Sequence, residues 1–576
     1  MLKTLSANIE KPVRVFLPEN LVITDWNSIA SFFEDLVERP LENSADLEKW
    51  LVDMSELESV ISEDVSWRHI RMTCNTEDKK LQESFTYFMM EIQPKIQPFA
   101  DKLNRKLIDS PLTSSLDKQK YFTYLRSVKK SIDLFREENI PIQSELSVLG
   151  QQYGAISGKM TVTVNDKEYT LQQAMKFLEN PDRNLREQVY RKVQERRLQD
   201  KEKINSLFTE LIKRRDQIAR NAGFQNFRDY KFIEMGRFDY TKEDCFRFHD
   251  SVKQYILPLV EIINQFKQKE LGLDTLRPWD VDAEPANQEP LNPFKTGDEL
   301  LEKTVQCFRE LRPFFADCLI TMKKMNRFDL ESRIGKAPGG YNCPLAETGA
   351  PFIFMNAAGQ MHDVTTMVHE GGHAVHSFLS HHLELSAFKE YPMEIAEVAS
   401  MAMELFSMEN WEIFFKKPED LRRAKIQQLE RVITIFPWIA TIDKFQHWVY
   451  ENPEHSLEQR TENWFRIYNE FSSKTINWNG LDEYQKNIWQ KQLHLFEVPF
   501  YYIEYGIAQL GAIGLWMQFK KSKNLALDHY IDALSLGGTK TLPELYEAAG
   551  LKFDFSGPYI KELMYFVEGE LNGLMN

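Results

Sequence analysis

The 576-residue chain has only five cysteines, Cys74, Cys245, Cys307, Cys318 and Cys343, and no two are spaced as a CxxC pair. An odd, scattered set indicates neither a disulfide framework nor a paired-cysteine zinc module, and it fits reduced buried thiols in a cytosolic protein. Basic residues are in deficit. Lys and Arg number 71 against 86 Asp and Glu, a formal net charge of -15. Such a chain is a poor match to a phosphate backbone, so no nucleic-acid partner is expected. The first eight residues, Met1 to Asn8, lack an apolar core and a cleavage site, so secretion is not indicated and the cytoplasm is the expected compartment. There is no internal repeat and no low-complexity segment. Long apolar runs are missing as well, with one exception, Val498 to Phe519. That run carries Glu504, Gln509 and three tyrosines and has no basic flank on its N-terminal side. It reads as a buried helix near a site rather than a membrane span, and no membrane association is expected.

What is present is ordinary globular material, 43% hydrophobic and 27% charged, long enough for a large core. Most of it reads as helix. Apolar residues recur at three- and four-residue spacing through 115–155, Gln173–Phe177, Leu185–Lys203, Ile204–Arg220 and Pro418–Ile435. The alternating Thr161-Val162-Thr163-Val164, then Asn165-Asp166, then Lys167 to Thr170 predicts a β-hairpin over 160–170. The Pro- and Asp-rich stretch Leu271 to Thr296 predicts a loop between helical blocks. Lys336 to Tyr341, with Gly339 and Gly340, predicts a flexible lead-in. Phe352 to Asn356 predicts a strand at the edge of a small sheet, Ala357 to Gln360 a turn, and Asp363 an N-cap. The expected division is an N-terminal helical lobe over 1–200, including the hairpin, and a second domain over 201–576.

The chemistry is concentrated in His369-Glu370-Gly371-Gly372-His373. On a helix, His369 and His373 share one face, can bind one Zn²⁺, and leave Glu370 beside the ion to take a proton from an activated water. Gly371 and Gly372 each cost about 1 kcal/mol in a helix interior relative to Ala, which predicts that something packs close to that backbone. Met367, Val368, Ala374, Val375, Phe378 and Leu379 predict a buried helix, and buried imidazoles need partners. Three protein ligands plus an open position are normal for catalytic zinc. A third histidine at the metzincin spacing is absent: Leu379 stands there, and His376 stands where that class has glycine. A glutamate on a second helix is the remaining common solution. Glu394, Glu397 and Glu404 lie in an otherwise apolar run, Glu397 and Glu404 sharing a face. Glu397 is the expected ligand and Glu404 the residue expected to orient a ligand imidazole.

The segment His369 to His376 followed by Glu397-Val398-Ala399-Ser400-Met401 resembles the thimet oligopeptidase/oligoendopeptidase F family of zinc peptidases. The shared features are an HExGHxxH core, a glutamate 24 residues past the second histidine, and a serine three positions further on. Asn180-Pro181-Asp182-Arg183, Leu271 to Asp280 and Gly339 to Asn356 resemble the oligoendopeptidase F branch, and the likeness runs over about residues 115–576. Position 371 is usually bulky in that family. The resemblance implies a mainly α, zincin-type helical metallopeptidase, an elongated two-lobed body with a deep channel and a small β-sheet near the active site. It implies one Zn²⁺ per chain on His369, His373 and Glu397, with Glu370 as general base and Glu404 and His376 around the ligands. It implies transition-state contacts from His494, Tyr502 and Tyr505, and peptide binding by Gly339, Gly340, Phe352, Phe354 and Tyr501, the strand taking the peptide by β-augmentation. The implied activity is cleavage of internal bonds in short unstructured oligopeptides. A related helical zinc carboxypeptidase and an inactive peptide-binding homologue are the alternatives.

Overall fold

The computed structural model describes every residue except 1–5, 10, 286, 287, 289, 290, 334, 338 and 576. Part of the N-terminal stretch, part of the 271–296 loop and Pro338 of the lead-in therefore lie outside the described residues. The chain is mainly helical, with five short strands among the described residues: β1 (Thr161–Val164), β2 (Lys167–Thr170), β3 (Phe328–Glu331), β4 (Tyr341–Cys343) and β5 (Phe352–Ala357). No described helix is long and apolar enough to cross a membrane. In the run from Val498, Glu504 is buried and ion-paired to Arg237 at 2.9 Å.

Two compact units are each assembled from three stretches of chain. The first comprises Met1–Phe135, Leu291–Lys425 and Ala508–Phe553, and the second Arg136–Pro290, Ile426–Ile507 and Asp554–Asn576. None of these breaks falls at residue 200, where the single residue Asp200 separates helices Arg183–Gln199 and Lys201–Asn221. The hairpin lies in the second unit.

In the first unit, helix Ser44–Cys74 is started by Asn43, whose side chain accepts from Asp46 N. Its buried Trp50 donates to Leu36 O at 2.8 Å and centres an apolar cluster with helices Asn27–Glu38 and Gln93–Asp109. The three-stranded sheet runs β3-β5-β4, with β5 parallel to β3 and antiparallel to β4. The strand expected at the edge is thus the central one, because both its neighbours are strands of three or four residues with no alternating pattern to betray them. Lys336 is anchored rather than flexible. Its ammonium donates to Asp329 Oδ1 at 2.8 Å and to Glu331 O at 2.9 Å. Asn356 Nδ2 donates to Ala337 O and Gly339 O, each at 2.8 Å.

In the second unit the hairpin turns through Asn165 and Asp166, both at positive φ (51° and 60°), the twist a two-residue hairpin needs. Asp182 caps helix Arg183–Gln199. The fully buried Asp280 binds Arg183 at 2.8 Å and Arg186 at 2.7 Å. This clamp joins the two segments, Asn180 to Arg183 and Leu271 to Asp280, that carry the resemblance in this part of the chain, and the latter is a short 3-10 turn at Pro278–Asp280 rather than wholly loop.

Candidate active site

The His-Glu-Gly-Gly-His stretch lies in helix Met361–Ser380 (the motif helix). Gln360 is its N-cap, and Asp363, expected at that position, instead sits one turn in. Its Oδ2 accepts from Gln360 N and Ala358 N, each at 2.8 Å. This fastens the turn after β5 to the start of the helix. The second helix, Met393–Ser407 (the glutamate helix), crosses the motif helix at the two glycines. A Cβ on Gly372 would stand 2.6 Å from Ala399 O and 2.7 Å from Ser400 Cα, and one on Gly371 would stand 2.7 Å from Phe308 Cζ. Gly372 thus lets two backbones meet, while the space a bulky side chain at 371 would take is filled by the buried ring of Phe308, from helix Gly297–Leu311.

The crossing brings the expected ligands together. Glu397 Oε2 lies 3.4 Å from His369 Nε2 and 3.7 Å from His373 Nε2. Ligand atoms each about 2.0–2.1 Å from one tetrahedral ion are about 3.3 Å apart, so the three side chains fit a zinc ion with little movement. Each is held from behind. His369 Nδ1 is 2.7 Å from Glu404 Oε1, which fixes the ring with Nε2 toward Glu397. Ser400 Oγ donates to Glu397 Oε2 at 3.1 Å, a use for the serine three residues on. The charges also call for a cation. Burial opposes a charge on His369, but Glu397 and Glu404 outweigh it and hold its pKa well above the usual histidine value, whereas burial takes His373 down to about 4. A proton on His369 thus occupies the place between carboxylates that a metal ion would take, and His373 is the neutral imidazole a metal ligand must be. Replacing Glu404 by Gln is expected to weaken zinc binding about 10- to 100-fold, measured by competition with a chromophoric chelator. Unchanged affinity would show that the 2.7 Å contact does not tune the ligand.

Glu370 follows the first ligand and is buried, and its own carbonyl accepts from Asn342 Nδ2 of β4 at 3.1 Å. Burial pushes its carboxyl up to about 7, against the pull of His369. Asn342 escaped the sequence reading; a polar residue between Gly-Gly-Tyr and a cysteine is its only local signal.

Several expected contacts fall elsewhere. The side chains of Phe352 and Phe354 are buried. They pack in a cluster with Ile70, Leu345 and the edge of Trp67, since alternate residues of a central strand point into the core. Phe354 also stacks on Tyr341 at 4.8 Å. The strands with one edge unpaired by another strand are β3 and β4, and β4 directly follows Gly339 and Gly340. Gly339 adopts φ 98°, and a Cβ on Gly340 would touch Phe354 O and Thr366 at 3.4 and 3.5 Å. His376 is fully buried and stacks on Tyr391 at 3.6 Å. It touches none of the ligands in a hydrogen bond, and neither of its ring nitrogens has a hydrogen-bond partner.

His494, Tyr501, Tyr502 and Tyr505 gather in the second unit, the ring of His494 lying 6.0, 4.9 and 5.9 Å from those of the three tyrosines. Gln492 joins His494 Nδ1 to the indole of Trp438 at 2.6 and 2.8 Å. Helix Tyr502–Lys521 begins just after Phe500, which is held at φ 66°, a conformation that costs a bulky residue of order 1–3 kcal/mol. Phe500 N donates to Gln446 Oε1 at 2.6 Å, and Phe500 O accepts from Arg237, itself paired to Glu504.

Comparison with known proteins agrees with this arrangement. Over 528 residues the chain is 22% identical to an oligoendopeptidase F homolog of Borreliella burgdorferi, covering 88% of this chain and 85% of the relative. Among solved structures, PZ peptidase A with an inhibitor superposes with a TM-score of 0.90 at 25% identity, over 97% of this chain and 99% of the other. An X-ray structure provisionally assigned to oligoendopeptidase F gives a TM-score of 0.90 at 25% identity, over 97% and 98%. Residues 16–135 match the peptidase M3 N-terminal domain. Residues 176–565 match peptidase family M3 itself, and with its motif on one helix and its glutamates on another that crosses it, the chain belongs to that family, in its oligoendopeptidase F branch.

Proposed function

We propose that the protein is a zinc-dependent endopeptidase that hydrolyses internal bonds of short, unstructured oligopeptides. The observation that carries the reading is the meeting of His369, His373 and Glu397 within ligand distance of one another, with the buried Glu370 next to the first of them. A Zn²⁺ held by these three residues supplies Lewis acidity and makes a water molecule acidic enough to be deprotonated near neutral pH. The rest is done by the chain. Glu370, a carboxylate kept out of bulk water, accepts the proton of the attacking water and returns it to the departing amine. Asn342 and Glu404 hold the base's backbone and the His369 ring in place. The free edge of β4, rather than β5, receives the substrate as an added antiparallel strand, which selects extended peptides. Carried over from the family resemblance, His494, Tyr502 and Tyr505 donate to the carbonyl oxygen as it gains charge.

A peptide blocked at both ends tests this reading. Internal cleavage is expected, abolished by a zinc chelator and restored by stoichiometric Zn²⁺. Failure to cut the blocked peptide while its free-C-terminus form is trimmed would make the protein a carboxypeptidase. No cleavage of either would leave a peptide binder.

A further inference from the structure

Two helices of the second unit each present a pair of ligand-type side chains four residues apart, hence on one face. They are Cys245 and His249 on Lys242–Ser251, and Asp443 and His447 on Pro418–Glu451. All four are at least nine-tenths buried, Asp443 completely. Cys245 Sγ, an oxygen of Asp443 and a ring nitrogen of His447 lie within 4.8 Å of one another. Asp443 Oδ2 is 2.8 Å from His249 Nε2 and 3.3 Å from His447 Nε2. The inventory is left incomplete in a telling way, because among the described residues Asp443 Oδ1 and His447 Nδ1 have no hydrogen-bond partner. Aromatic rings surround the imidazoles, Phe246 and Phe500 at 4.9 and 5.4 Å from His447 and Phe471 at 6.5 Å from His249. Arg237 is engaged with Glu504. A buried carboxylate oxygen and a buried ring nitrogen without partners cost free energy that folding does not recover unless something else binds them.

We propose that Cys245, Asp443 and His447 bind a second metal ion, with His249 holding Asp443 by its Oδ2. The donor set selects the metal. Sulfur, nitrogen and oxygen together suit Zn²⁺ or a similar first-row dication, and not Mg²⁺ or Ca²⁺, which take all-oxygen shells. Binding replaces the thiol proton, which leaves to solvent. One thiolate and one carboxylate then neutralise the dication, so no net charge remains in an apolar site. Closing the ligand atoms to the roughly 3.3–3.8 Å spacing of a zinc shell needs only side-chain rotation on two helices. The ion would fasten helix Lys242–Ser251 to the turn of Pro418–Glu451 that bears Gln446, whose side chain holds Phe500. Its role is structural, and it raises the expected metal content from one to two per chain.

Cobalt distinguishes the two sites, because the His369/His373/Glu397 set has no sulfur. The full-length protein, stripped by a chelator and titrated with Co²⁺, is expected to bind two ions and to develop a thiolate-to-cobalt charge-transfer band in the near ultraviolet. Cys245→Ser should lose that band and one ion, and His447→Gln should weaken both, while Cys318→Ser keeps them. Folded wild-type protein without the band, or a band surviving in Cys245→Ser, overturns the proposal whether or not any variant folds. The band belongs to this site alone, so it would appear even if His369→Ala showed the other cluster to bind nothing.

Discussion

Glu370→Gln is expected to lower kcat/KM for a blocked oligopeptide by about 10²–10⁴-fold, the usual contribution of a positioned general base, with metal affinity and KM nearly unchanged. Gln fills the same buried space and Glu370 is no ligand, so the loss should appear in kcat alone. The pH profile offers a second reading. The base must be ionised, so the rate falls as pH drops through its pKa. Burial sets that pKa at about 7 in the metal-free protein, and a bound dication beside the carboxylate brings it lower. Glutamine cannot titrate, so the residual activity should show no acid limb from this group. Residual activity within about tenfold of wild type would remove Glu370 from the mechanism.

The largest structural effect is expected from the smallest change, Gly372→Ala. The added methyl would stand 2.6 Å from Ala399 O, and that carbonyl cannot retreat freely because it accepts a 2.7 Å hydrogen bond from the buried Tyr530 hydroxyl. Overpacking costs about 1–3 kcal/mol and straining the buried hydrogen bond about 1–2 more, against about 1 kcal/mol returned by helix propensity. A net loss of about 1–4 kcal/mol follows, together with weaker zinc binding, because Glu397 and Ser400 ride on the displaced backbone. Gly371→Ala meets only the tip of a phenylalanine ring and should cost less, and Phe308→Leu in the same chain should restore what is lost. Thermal unfolding and metal titration of the four proteins check the ordering. Equal effects at 371 and 372 would show that the backbone contact is not the constraint.

The legibility of this site in the sequence follows the range of its contacts. His369, Glu370 and His373 are fixed relative to one another by helix periodicity alone. Glu397 and Glu404 are readable because charged residues on an apolar helix need a reason, and only the short helix Ser386–Lys389 separates their helix from the motif helix. The glycine pair announced a close approach, but its partners, Ala399 and Phe308, are set by packing that no local pattern encodes. Strand order failed for the same reason: β5 is long and apolar enough to be seen, while β3 and β4, which occupy both its edges, are not. Phe352 and Phe354, expected to bind peptide, have side chains packed in an apolar cluster that this strand order explains. The cysteine count argued against a paired-cysteine zinc module, yet the Cys245 cluster joins two four-residue spacings nearly two hundred positions apart in the chain, which only the fold juxtaposes.

The threading of the chain through its two units constrains its biosynthesis. Neither unit is a continuous stretch: the first needs residues up to Phe553, and the second needs the segment that begins at Asp554. An emerging chain usually secures its N-terminal domain first, but here residues 1–135 wait for partners that lie more than 150 and more than 370 positions further along the chain. The motif helix waits as well, since Tyr530, which pins the glutamate helix through Ala399 O, is made 131 residues after that carbonyl. Long waits expose apolar surface, and contacts between distant segments form slowly. The protein should therefore depend on chaperones during synthesis, and halves cut at residue 290 or 425 should be unable to fold alone.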